Sequence, residues 1–291
     1  MNSNSKNNTS VIKKVGILGM TANFGLLIMK FLAGTVFKSQ ALIADAVNSL
    51  GDVMSSLLTY AGGKISSVPE DNDHEFGHGK AEFVASFLIG ILMVAMSVDM
   101  LYKSIKSIIY KEYFSFSVLL VIVPCVTILV KLFMYIYVKK IGKKESSLLI
   151  TANAEDHKND VLISLGVVIG VVFGYFGIYF VDGVVGSIIS CVIAITGVKI
   201  IAESYQVLID RCIDISKMEE IKKQIEVMEN VRHVDSIKSK PTGALHMLVV
   251  KISVDPNMTV RESHKIAGKI RGELTKRDEI YDVIVHINPD E

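Results

Sequence analysis

The chain has 291 residues, of which 50% are hydrophobic and 21% charged, with a formal net charge of +1. So balanced a charge leaves no electrostatic footprint for nucleic acid. The apolar residues are concentrated: from Val15 to about Ala202 apolar runs alternate with short polar breaks, whereas the chain after Asp210 is an ordinary soluble mixture, as in KMEEIKKQIEVMEN.

In chain order, MNSNSKNNTS is a polar tail with no apolar core ahead of a small-residue cleavage site, unlike a secretory signal. Crossing about 30 Å of hydrocarbon takes roughly 20 apolar residues. Six spans are expected on that basis, over 15–37, 41–63, 81–108, 114–138, 148–177 and 178–205, the second being the least hydrophobic. Lys13 and Lys14 precede the first span, and Lys139, Lys140, Lys143 and Lys144 follow the fourth. The positive-inside tendency puts both regions, and therefore both termini, in the cytoplasm. Lys103, Lys106 and Lys111, near the opposite face, run against that assignment.

The soluble tail predicts helix 217–229, strands 231–239 and 244–254, helix 259–276 and strand 280–287, an αββαβ order that makes a small two-layer α+β domain. The expected organisation is a polar tail over 1–14, an all-α six-helix transmembrane domain over 15–210, and a cytoplasmic α+β domain over 211–291. Cys125, Cys191 and Cys212 are isolated and form no CxxC, which argues against a disulfide framework or thiolate metal site. They are expected as small core residues.

Charge inside an apolar span is costly, and ionised side chains there usually face a bundle interior or an aqueous cavity. The fifth span carries ITANAEDHKNDVLIS, in which Asp156 and Asp160 stand four apart and share a helix face. The second carries ALIADAVNSLGDVMSS, with Asn48 and Asp52 four apart and Asp45 one turn earlier. Two facing helices with such oxygen pairs could hold one cation. Spacing alone leaves His157 open as a ligand, since Asp160 pairs with it at i+3 as readily as with Asp156 at i+4. The repeat Gly166, Gly170, Gly174 is the small-residue pattern that lets helices pack closely.

Taken together, ALIADAVNSLGDV, DNDHEFGHGKAE and ANAEDHKNDVLIS resemble the cation diffusion facilitator family of divalent-metal/proton antiporters, over nearly the whole chain. The resemblance implies a homodimer in the plasma membrane, a metallochaperone-like (ferredoxin-like) tail, no prosthetic group, and metal ions, protons and lipids as partners. Its transport site falls on Asn48, Asp52, Asp156 and Asp160; Asp45, from its place one turn along the second span, is expected to assist release. Zinc-transporting members have histidine where this chain has Asp156. An all-oxygen set suits harder ions, so the chain resembles the manganese-exporting branch, with Zn²⁺, Fe²⁺ or Co²⁺ as alternatives.

The resemblance further implies a second metal site at Asp71, His74 and His78. It also implies an ion pair between Lys80 and Asp210 near the dimer interface. In the tail, His233, His264 and His286 match a metal cluster of zinc-transporting relatives. Lys251 and Asn288 replace two other ligands there, and a protonated lysine cannot coordinate, so weak or no binding is expected. His246 has no counterpart and is expected as a strand residue. A metalloprotease would need a helical HExxH, which is missing, and a sensor working through the tail would leave the intramembrane carboxylates unexplained.

Overall fold

The computed structural model describes residues 3–36, 40–110, 118–145, 147–178 and 180–290. Six long helices come first: α1 (Ser3–Val36), α2 (Gln40–Ser66), α3 (Ala81–Tyr110), α4 (Leu119–Glu145), α5 (Leu148–Tyr175) and α6 (Phe180–Leu208). They are followed by α7 (Ile215–Glu226), β1 (His233–Pro241), β2 (His246–Val254), α8 (Val260–Leu274) and β3 (Ile280–Pro289). The chain divides into two compact units, one of Met1–Ser67 with Ala81–Tyr205, the other of Val68–Lys80 with Gln206–Glu291. The loop between α2 and α3 thus belongs with the C-terminal unit, which a linear reading of the chain does not reveal.

Among the described residues five helices are long and apolar enough to cross a membrane: Val11–Ala33, Ala81–Tyr110, Val121–Lys144, Leu148–Gly174 and Gly183–Leu208. The chain is a multi-pass membrane protein. The polar residues expected as a tail continue α1 back to Ser3. The second expected span, α2, is not among those five; it matches the others in length at 27 residues but is more polar. Its polarity has a direction. Asp52, Ser55, Ser56 and Thr59 are all buried, while Met54 and Leu57 are exposed. Offsets of three and four residues place the first set on one stripe, so α2 is amphipathic with its polar side turned inward. Helix α5 repeats the arrangement, burying Asn153, Asp156, His157, Asp160 and Ser164.

Apolar packing supplies the rest of the bundle interior, with Ile12 and Val15 of α1, Ile89 and Met93 of α3, Met134 and Val138 of α4, and Leu149 and Ile150 of α5. Ser147 starts α5 by accepting from the Ile150 backbone N–H, and its hydroxyl donates to the buried Glu82 carboxylate at the start of α3. Phe24, Phe31, Leu129, Phe133 and Ile195 point outward, as an apolar solvent allows. The same solvent explains two of the cysteines. Cys125 and Cys191 are exposed rather than core residues, because lipid accepts small apolar side chains on the outer surface as readily as the interior does; Cys212, also exposed, lies beyond α6 in the C-terminal unit.

Small residues allow close helix contacts. Gly166 meets Ile189 and Val185 of α6, in keeping with the packing role expected of the glycine repeat. At Gly90 of α3 and Gly197 of α6, a Cβ on either residue would stand 3.0 Å from the other's carbonyl oxygen. Substituting Gly197→Val therefore pushes α3 from α6, at about 1–3 kcal/mol for overpacking. The expected result is a lower midpoint of thermal aggregation for the detergent-solubilised protein. An unchanged midpoint would mean that these helices are not locked at this crossing.

In the C-terminal unit the sheet order is β1-β2-β3, with β1 antiparallel to β2 and β2 parallel to β3. A parallel pair needs a crossover, which α8 provides. Thr259 and Glu262 form a capping box at its start, and Ile266, Ile270 and Leu274, four apart, face the sheet. Ile221 and Ile225 of α7 complete the core over Leu248, Val250 and Ile252 of β2. The αββαβ order matches the expectation, with boundaries displaced by only a few residues.

Candidate functional site

The inward polar stripes of α2 and α5 meet, since these helices are in contact, and α4 packs along α5 beside them. Asp156 and Asp160, one turn apart, both line a cavity of about 190 Å³ whose apolar walls include Met93 and Met100 of α3 and Ile193 of α6. Asp52 approaches from α2. Its backbone carbonyl accepts from the Asn23 amide of α1 at 2.9 Å, and the same amide nitrogen donates to Ser56 Oγ at 2.9 Å. Those two bonds fasten α1 to α2 at the level of the carboxylate.

Between the two helices stands a residue absent from the sequence expectations. Lys131 of α4 is 1% exposed, and its Nζ donates to Asp52 Oδ2 at 2.8 Å and to Asp160 Oδ2 at 2.5 Å. The sequence did contain a signal, a single lysine within the apolar run TILVKLFMY, and the rule applied to the carboxylates applies equally to it.

The side chains of Asp45 and Asn48 lie outside the described residues. The position of His157 is resolved. Asp156 lines the cavity and His157 does not. The imidazole lies toward α1 and α2, where a Cβ on Gly19 would stand 3.9 Å from His157 Nε2 and 2.7 Å from Ser56 Oγ. Asn153, Asn159 and both ring nitrogens of His157 are buried with no hydrogen-bond partner among the described residues. Unpaired buried polar atoms are uncommon, and water or an ion can satisfy them.

Asp71, His74 and His78 are the one set of three His, Cys, Asp or Glu side chains, among the described residues, whose ligand atoms all lie within 4.8 Å of one another. The backbone creates this convergence. Asp71 Oδ1 accepts from the His74 N–H at 2.7 Å and from the Asp73 N–H at 3.0 Å, closing a tight turn. Gly77, at φ 71°, then reverses the chain, so that His78 Nε2 comes within 3.6 Å of Asp71 Oδ2. Chiefly because of the His74 N–H, the Asp71 carboxyl is held below the usual carboxylate range and stays ionised. Two imidazoles and a carboxylate suit a first-row divalent ion.

Lys80 Nζ pairs with Asp210 Oδ1 at 2.5 Å, and Lys240 Nζ approaches Asp210 Oδ2 at 3.7 Å. The Lys80 hydrogen bond lowers the Asp210 carboxyl. Within one chain the tail histidines lie on three separate elements. His286 pairs in register with Lys251, His264 lies on α8, and His233 engages Asp235 at 2.8 Å and Asp290 at 3.5 Å. Asn288 donates to the other Asp235 oxygen at 2.7 Å. His246 opens β2, as expected of a strand residue, and burial lowers its imidazole.

Two family profiles match the chain. That of the cation efflux transmembrane domain covers residues 16–209, and that of the cation efflux protein cytoplasmic domain covers 214–290. The manganese efflux system protein MneP of Bacillus subtilis is 32% identical, over 96% of this chain and 96% of its own. MneS, also a manganese efflux system protein of Bacillus subtilis, is 31% identical over 94% of each chain. The magnetosome protein MamB of Paramagnetospirillum magneticum is 26% identical, over 86% of this chain and 85% of its own.

Proposed function

The chain belongs to the cation efflux family, and on that premise we propose that it exports Mn²⁺ from the cytoplasm in exchange for protons. The observation that carries this reading is the meeting of two inward polar stripes, with Asp156 and Asp160 on a cavity and Asp52 across from them. In the proposed cycle these three carboxylates and the Asn48 carbonyl bind the ion from the cytoplasmic side. On outward opening, protons compete for the same oxygens and the ion leaves. The protonated site, carrying less charge, then returns inward. Such a cycle needs a differential affinity between two states, as does any ligand-driven conformational change. Asp45, one turn along α2, assists release.

The lysines ahead of the apolar part of α1 and at the C-terminal end of α4 support a cytoplasmic side for both termini, with α2 as a further crossing and the plasma membrane as the site of export. The protein acts as a homodimer joined through its C-terminal domain, with Lys80 and Asp210 tying the structure near that interface. Asp71, His74 and His78 form a second, cytoplasmic-side metal site. The tail binds metal weakly at most, because Lys251 sets an ammonium beside His286. Preference for manganese over zinc is supported by the all-oxygen ligand set and by His157 lying off the cavity.

The test is transport by the purified protein in liposomes under an imposed pH gradient. Mn²⁺ should accumulate in the compartment that supplies protons, and a protonophore should abolish the accumulation. Accumulation that persists after the gradient collapses would eliminate proton exchange. Zn²⁺ carried in preference to Mn²⁺ would eliminate the choice of metal alone.

A further inference from the structure

The three carboxylates proposed as ligands do not by themselves close on a point, since among the described residues they are not one of the sets whose oxygens lie within 4.8 Å of one another. The Lys131 ammonium is inserted between two of them, 2.8 Å from Asp52 Oδ2 and 2.5 Å from Asp160 Oδ2. We propose that Lys131 is a tethered cation that occupies the transport site when no metal is bound, and that a divalent ion must displace it to bind. The inference rests on the transport-site reading given above.

The two cations compete both electrostatically and sterically. An ammonium bonded to two of the three carboxylates uses the oxygens that the ion needs. At such a separation its positive charge also repels a divalent cation strongly in a low-dielectric interior. Both cannot be held by Asp52 and Asp160 together. Without metal, however, buried carboxylates lacking a counter-ion are costly, because breaking a buried pair leaves an uncompensated charge. Lys131 compensates them from within the chain. A lysine suits this role better than an arginine would. Its compact charge rides on a flexible four-carbon stem and can withdraw without the helix moving, whereas a guanidinium is a rigid fork that holds carboxylates bidentately. The lysine therefore weakens metal binding while stabilising the empty carrier. An exporter that must release its ion and reset needs both properties.

A purely structural role, pinning α4 to α2 and α5, predicts different results. For a pin, neutralising Lys131 loosens the site, so metal binding weakens or stays unchanged. For a tethered competitor, it tightens binding and slows turnover.

The experiment measures the Kd for Mn²⁺ of the full-length protein in nanodiscs at one fixed pH, and half-saturation and maximal flux in liposomes. Lys131→Met should lower the Kd by at least about tenfold, or 1.4 kcal/mol, and should lower half-saturation and maximal flux together. Lys131→Gln, which keeps a hydrogen-bonding group but no charge, should do the same and serves where the methionine variant fails to fold. Lys131→Arg, which keeps the charge, should bind no more tightly than wild type. A Kd that is unchanged or raised in the neutral variants, or lowered equally by arginine, overturns the proposal. Asp160→Asn is measured alongside. If it retains wild-type binding and flux, the site itself has been misplaced. If it loses them while Lys131→Gln leaves the Kd unchanged, only the tethered cation is refuted.

Discussion

Asp160→Asn should abolish Mn²⁺ transport. The substitution keeps the shape of the side chain, so the cavity survives, but it removes one anionic ligand and one of the two carboxylates that hold Lys131. Losing one of the anionic ligands should cost at least about 100-fold in Mn²⁺ affinity or flux, or about 2.8 kcal/mol, and breaking the buried ion pair separately costs about 3–5 kcal/mol of stability. Some of the lost flux therefore reflects instability from the less compensated ammonium. The double variant Asp160→Asn with Lys131→Met separates the two effects. It should regain stability in a thermal melt and still fail to transport. A single variant that carries Mn²⁺ at a wild-type rate would remove α5 from the pathway.

Asp156→His should redirect the protein toward zinc. Asp156 faces the cavity, whereas the native His157 lies toward Gly19 and Ser56. The substitution thus places an imidazole where the ion is proposed to sit, with no rival ring already there. Imidazole favours zinc in a tetrahedral set, and carboxylate oxygens favour harder ions. The Zn²⁺-to-Mn²⁺ ratio of half-saturation constants should shift by about tenfold or more in favour of zinc, on the scale of one altered ligand worth about 1.4 kcal/mol. His157→Ala is the control and should leave the ratio unaltered, while lowering stability if the ring fills space between the helices. A ratio that moves with His157 and not with Asp156 would reverse the assignment of ligand and bystander.

The two substitutions also show how much of the site is local. Asp156 and Asp160 are related by helical spacing, so their shared face was legible once the segment was known to be helical. The same spacing left His157 equally eligible. What distinguishes the two is the rotation of α5, which turns Asp156 toward α3 and α6 and His157 toward α1 and α2. Helix rotation depends on contacts with several neighbours, such as the Gly166 contact with α6, and no single segment encodes it.

By itself the sequence determined the apolar runs, the polar residues at helical spacing within α2 and α5, and the αββαβ order of the tail. Each follows from a local period together with the cost of polar atoms in lipid, which sends such residues inward whatever the partner. Only the tertiary structure decided what they meet there. It brought Lys131 from α4 to Asp52 and Asp160, and it gathered Asp71, His74 and His78 around Gly77. It also assigned the α2–α3 loop to the C-terminal unit. A buried charge requires a counter-charge, but which residue supplies it is a matter of distance in space. That distance is set by how whole helices pack.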